Sequence, residues 1–221
     1  MLSKYKERLK DKERRKFFVV FLGGKMIGVG LALLGVKFLM TQVSDRYRRL
    51  AAGVTEKISQ VPADKWGAPS PCPDWTALDV VRHLTQIPGI FFGLIGESGP
   101  EVPPVEDDPL AAWAVARDAV QAALDDPAIA TREYDGFAGK ATFEKGVDQF
   151  ICTDLIVHGW DLARATGLDE RIDPQDLADV RAAMAPLADQ MRSPRAFGPE
   201  VDVPAEADEQ TKVLAFLGRQ A

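Results

Sequence analysis

The chain of 221 residues has little of what builds most chemical sites. It has two cysteines, Cys72 and Cys152, and no Cys-x-x-Cys pair. That suggests no disulfide framework and suits a reducing compartment without proving one. It has only two histidines, His83 and His158, so imidazole chemistry can involve no others. No phosphate-binding loop or dinucleotide fingerprint occurs, because the glycines of residues 23–35 lie in an apolar stretch without the strand such motifs need. No internal repeat is present.

What is there is globular in composition, 46% hydrophobic and 27% charged, with a net charge of −6 that is unevenly spread. Residues 1–16 form a basic arm with eight Lys or Arg against three acids. Residues 17–40 hold 17 apolar residues, five Gly and two Lys, Lys25 and Lys37. As a helix these would span about 36 Å, enough for a hydrocarbon core of about 30 Å. A transmembrane helix anchoring the protein to the membrane is the expectation, with the basic arm beside anionic lipid. Lys25 opposes it at about 2.5–3.5 kcal/mol on insertion scales. The alternatives are a helix packed on another protein and an upstream extension from a misassigned start. The location depends on this segment: membrane-anchored if 17–40 spans, otherwise cytoplasmic. Residues 41–221 carry 17 basic and 30 acidic residues, and such an acidic body argues against a nucleic-acid partner.

The stretch Thr142–Gly167 reads as one long helix, apolar nearly all round and therefore buried. Asp154 and His158 sit four residues apart on it, about 40° apart around the axis, and Asp161 comes three residues later on the same side. Buried carboxylates and imidazoles must be paired, hydrogen-bonded or metal-bound. Asp-x-x-x-His supplies two ligands of a three-ligand metal site, and His83, on a second helix, is the candidate third. Hydrogen-bonded core histidines are the alternative.

The remaining pattern is helical. Residues 44–61 place Tyr47, Leu50, Val54 and Ile58 on one face, with Ser44 as the expected cap. Thr76–Glu97 starts with Asp74 or Thr76 as cap and Asp79 in the capping-box position, and Pro88 should bend or interrupt it. Asp107 or Asp108 caps a helix over Pro109–Leu124. Thr131–Phe143 reads as a small hairpin or an ordered loop. Helices over 174–192 and Glu209–Leu217 close the chain. Cys72 flanks the helix carrying His83 and could approach the site, Cys152 is core, and Trp75 and Trp160 read as packing residues, with substrate stacking the alternative.

Three stretches, PSPCPDWTALDVVRHL, DLIVHGWDLARATG and FGPEVDVPAEADEQTKVLAFLGR, are similar to actinobacterial DinB-like metal-binding proteins. These are relatives of the metal-binding domain of mycothiol-dependent maleylpyruvate isomerase. The resemblance covers 44–221 and not residues 1–43. It implies an all-α fold: a DinB-like four-helix bundle, here with an extra N-terminal hydrophobic helix and a short C-terminal helical extension. It also implies a divalent metal, zinc in most members, held at His83, Asp154 and His158. The isomerase has Glu where this chain has Asp154, and the substrate contacts of its larger C-terminal domain are not carried over to the roughly 50 residues after the long helix. With both histidines on metal, no Ser-His-Asp triad competes. The implied chemistry is thiol-dependent transfer or isomerisation, with mycothiol or a similar small thiol and an electrophilic substrate as partners. Asp161 would orient a ligand, or pair with Arg82 or Arg164. The alternative function is a non-catalytic, metal-pinned binding or stress-response module.

Overall fold

Apolar residues three and four apart give the first helix its buried stripe. The computed structural model describes residues 42–136, 139–192 and 197–220, and in it helix α1 runs over residues 42–60. It buries Tyr47, Leu50, Ala51, Val54 and Ile58. Ser44 is not the cap: the helix starts ahead of it, and its buried hydroxyl donates to Asp125 instead. Pro62, with a fixed φ and no N–H, stands just past the helix end.

Helix α2, Ala77–Leu94, begins with a full capping box in which Thr76 and Asp79 bond each other's backbone N–H. Pro88 does not break it. The proline forfeits one backbone hydrogen bond, about 3 kcal/mol. Burial of Val80, Val81, Leu84, Phe91 and Phe92 on both sides of it holds the helix continuous. Helix α3, Pro109–Asp125, is capped by Asp108, which accepts from the Leu110 and Ala111 N–H groups. A short helix α4, Pro127–Ala130, leads into a hairpin. Its strands, β1 (Glu133–Gly136) and β2 (Gly139–Thr142), pair antiparallel with Glu133 opposite Thr142.

The long helix is not one uniform α-helix. It consists of α5 (Phe143–Gly146), a π turn (Val147–Ile151) and α6 (Cys152–Thr166). A π turn takes an extra residue and so rotates the next helical segment around the axis. Gly167 ends α6 in the left-handed conformation, φ 76°, that glycine adopts without strain. The expected helix over 174–192 is also divided. Helix α7, Pro174–Met184, passes into a 3-10 turn at Ala185–Leu187 and a short α8, Ala188–Met191. Pro186 removes a backbone donor at that point. Helix α9, Glu209–Phe216, is capped by Asp208.

Helix α2 packs against both α3 and α6, and α7 packs against α6 and α9. Helix α1 ties the layers together. Thr55 accepts from Trp113 Nε1 on α3 at 2.8 Å, Arg46 pairs with Asp148 in the π turn, and Arg49 pairs with Asp176 on α7. The result is the all-α, DinB-like four-helix bundle of α1, α2, α3 and α5–α6, with α7–α9 as the C-terminal extension. Val43–Ala221 forms one compact unit. The basic arm, 1–16, and the expected membrane helix, 17–40, lie outside the described residues. Among the described residues no helix is long and apolar enough to cross a membrane.

Candidate metal centre

Two helices and one loop build the site. The loop folds back so that the Ser70 N–H bonds Trp75 O at 2.8 Å and the Trp75 N–H bonds Cys72 O at 3.2 Å. Asp74 takes a left-handed φ of 64° within that turn, a conformation Asp tolerates better than most residues. The capping box then starts α2 and sets the phase that brings His83 to the inner face, half-buried. From α6, Asp154 and His158 reach the same place.

His83 Nε2 lies 3.4 Å from Asp154 Oδ2, and His158 Nε2 lies 3.9 Å from Asp154 Oδ1. Ligand atoms of all three residues fall within 4.8 Å of one another. Four ligands at about 2.0–2.1 Å in a tetrahedron stand about 3.3 Å apart, so this spacing suits one small cation between them. The imidazoles meet edge to face, with ring centroids 4.7 Å apart at 69°. Trp75 covers both, its centroid 5.0 Å from His83 and 5.7 Å from His158. It packs against the candidate ligands themselves and also lines the adjoining pocket.

Asp161, fully buried, accepts from His158 Nδ1 at 2.9 Å. A carboxylate only accepts, so Nδ1 carries the proton and Nε2 is the nitrogen left to face Asp154 and His83. The ion pair expected for Asp161 with Arg82 or Arg164 does not form. Arg82 pairs with Asp79 and Glu106, and Arg164 with Glu170. Arg219, from the last turn of the chain, takes that place, its terminal nitrogen 3.1 Å from Asp161 Oδ2. Cys72 joins the same cluster: its Sγ donates to Asp161 Oδ2 at 3.3 Å and lies 3.9 Å from His158 Nδ1.

These contacts set the charge states. Burial works to lower His158. The hydrogen bonds to Asp161 and Cys72 and the charges of Asp161 and Asp154 outweigh it, and the imidazolium value rises to about 10. Burial works to raise Asp161, but the His158 hydrogen bond and the Arg219 charge hold it below the ordinary carboxylate range. Without a cation these contacts favour the imidazolium form of His158, from which a cation binding at Nε2 would displace a proton. Cys152 is fully buried, and burial pushes its thiol up to about 12, an inert core position.

The three candidate ligands line a pocket of about 550 Å³. Its polar end holds them together with Cys72 and Arg219, and its other walls are Phe91, Phe150, Met184, Met191, Phe197 and Leu217. The last four lie beyond the long helix, where the sequence offered no site expectation. Arg219 was likewise missed, and its one local signal is its position directly after Gly218, which ends α9 at a positive φ of 81°.

The sequence model of the mycothiol maleylpyruvate isomerase N-terminal domain family matches residues 47–163. Uncharacterized proteins from two strains of Mycobacterium tuberculosis, CDC 1551 / Oshkosh and ATCC 25618 / H37Rv, are each 33% identical over 173 residues. In each case the match takes in 73% of this chain and 89% of the relative. No solved structure matches.

Proposed function

From the chain's place in the mycothiol maleylpyruvate isomerase N-terminal domain family, to which it belongs, we propose that it is a divalent-metal protein that activates a small thiol. His83 Nε2, Asp154 and His158 Nε2 would hold the cation. Two imidazoles and a carboxylate suit zinc, with a fourth position left open. A cation so held supplies Lewis acidity, lowering the pKa of a coordinated thiol so that it reacts as thiolate.

The chain's own residues do the rest. Asp161 keeps the His158 proton on Nδ1, and Trp75 holds both rings in place. The apolar walls exclude water from an electrophile lying beside the thiol. A volume of about 550 Å³ is within the size range of small-molecule sites, which is the support for a small thiol and a small electrophilic substrate as the ligands. Attack of the thiolate sulfur on an electrophilic carbon is the step the two reactions would share: in isomerisation it would open a C=C bond, whose π pair shifts onto the electron-withdrawing group that activates it, and in S-transfer it would break the bond to a leaving group, which departs with the electron pair.

The observation that carries this reading is the convergence of three ligand atoms within 4.8 Å at the wall of that pocket. The test is cobalt substitution in the full-length protein and then thiol titration. One cobalt per chain and a thiolate-to-cobalt charge-transfer band on adding mycothiol are expected. Failure to bind one metal per chain would overturn the metal site. Cobalt binding without the band would overturn thiol activation and leave the metal as a structural pin.

A further inference from the structure

The stretch that matches the family ends at residue 163, yet a cation from the far end of the chain reaches into the site. We propose that Arg219 is a positioning residue for the metal centre. It grips the Asp161 carboxylate at two points and so fixes the His158 ring with Nε2 turned toward His83 and Asp154. This role rests on His83, Asp154 and His158 holding a metal.

Asp161 has no exposed surface, and a carboxylate so placed needs strong donors. Arg219 supplies a fork. Its Nε lies 3.5 Å from Asp161 Oδ1 and its terminal nitrogen 3.1 Å from Asp161 Oδ2. Two-point contact between a planar guanidinium and a carboxylate fixes orientation as well as distance. The guanidinium is itself pinned, because its other terminal nitrogen donates to Leu217 O at 3.0 Å. It is 9% exposed.

The backbone is built to deliver this side chain. Gly218 adopts a φ of +81° and crosses Gly198 so closely that a Cβ on it would lie 3.0 Å from the Gly198 Cα and N. Only glycine fits that crossing without displacing main chain, and Arg219 is the next residue. The oxygen that Arg219 holds at 3.1 Å is the one that accepts from His158 Nδ1 at 2.9 Å. Among the described residues, the other side chain donating to that oxygen is the Cys72 thiol, a weak donor. With Arg219 gone, the carboxylate can rotate and the His158 ring loses its stop.

The test uses full-length protein carrying Arg219→Met or Arg219→Lys. Zinc affinity is read by competition with a chromophoric chelator. The His158 Nδ1–H resonance is read by imidazole nitrogen–proton NMR of the metal-free protein. For Arg219→Met we expect a loss of about 10–100-fold in zinc affinity, as for other changes behind a metal ligand, and broadening or loss of the Nδ1–H resonance. Arg219→Lys, which keeps the charge but not the fork, should recover part of both. A folded Arg219→Met protein with parental zinc affinity and an unchanged Nδ1–H resonance overturns the proposal. If Arg219→Met fails to fold, the same two readings on Arg219→Lys decide it. If the parent protein binds no zinc, the metal reading falls, and the resonance alone still decides whether Arg219 holds the His158 ring.

Discussion

Asp161 and His158 are joined by a 2.9 Å hydrogen bond across three residues of one helix, and that bond decides which imidazole nitrogen faces His83 and Asp154. Asp161→Asn keeps an acceptor for Nδ1 but loses the charge, so it should bind zinc about 10–100-fold more weakly while remaining folded. Asp161→Ala removes the acceptor too and leaves the Arg219 guanidinium buried without its partner. Loss of one member of a buried pair costs about 3–5 kcal/mol. Chelator competition and urea unfolding of the two variants separate the effects. Equal zinc affinity in parent and Asp161→Asn would count against the orienting role.

The raised His158 value makes a pH prediction with a definite sign. The folded value of about 10 lies above the ordinary 6.5. A raised value in the folded state stabilises fully below the unfolded value, and that stability is lost as pH rises through the folded one. The metal-free protein should therefore lose stability between about pH 6.5 and about pH 10. Zinc affinity should rise over the same window, because each bound cation displaces one proton. Calorimetry at pH 7 in buffers of different ionisation enthalpy should show about one proton released from this group on binding. Thermal melts of the chelated protein check the other half, with a flatter profile expected for His158→Gln.

Much of this arrangement was legible because it is local. Thr76 and Asp79 announce the start of α2 by spacing alone, and the four-residue step from Asp154 to His158 puts both on one face of α6. The C-terminal glycine of that helix, Gly167, was equally readable. What escaped has no local signature. Arg219 meets Asp161 across 58 positions, and nothing in the residues around either one points to the other. Ser44 looks like a cap, but its hydroxyl is taken by Asp125 on α3. The π turn upstream of Asp154 leaves the apolar pattern intact, so it too could not be read. Pro186, by contrast, was in plain view as the residue that divides 174–192.

The capping box of α2 is within reach of a conventional test. Thr76→Ala removes the side-chain acceptor for the Asp79 N–H, at a cost of about 0.5–2 kcal/mol. Asp79 is held below its ordinary carboxylate value, first by the hydrogen bond from the Thr76 hydroxyl and then by the Thr76 backbone N–H. A lowered value stabilises above the unfolded value and is lost as pH falls through the folded one. Acid unfolding of the parent should thus fall more steeply below about pH 3.8 than that of Asp79→Asn. The same cap sets the phase of His83, so Thr76→Ala should also weaken zinc binding slightly. Urea melts and acid titration monitored by circular dichroism measure both.

Trp75 offers a direct optical report on the candidate centre. Its ring lies 5.0 Å from His83 and 5.7 Å from His158, within the few ångströms over which a paramagnetic, visibly absorbing ion such as cobalt quenches indole emission strongly. Trp113 is a useful contrast. It is buried on α3 with its Nε1 bonded to Thr55 at 2.8 Å, and it does not line the pocket. Cobalt added to the metal-free protein should quench tryptophan fluorescence in a saturable way that ends at one equivalent. Trp75→Phe should lose most of that response while keeping an aromatic face over the imidazoles, so its cobalt absorption spectrum should stay close to that of the parent. Trp113→Phe should retain the quenching, though it should be less stable by about 1 kcal/mol for the missing hydrogen bond and more for the lost ring area. If Trp75→Phe is quenched as fully as the parent, cobalt binds somewhere other than beneath Trp75, and His83 and His158 are not its ligands.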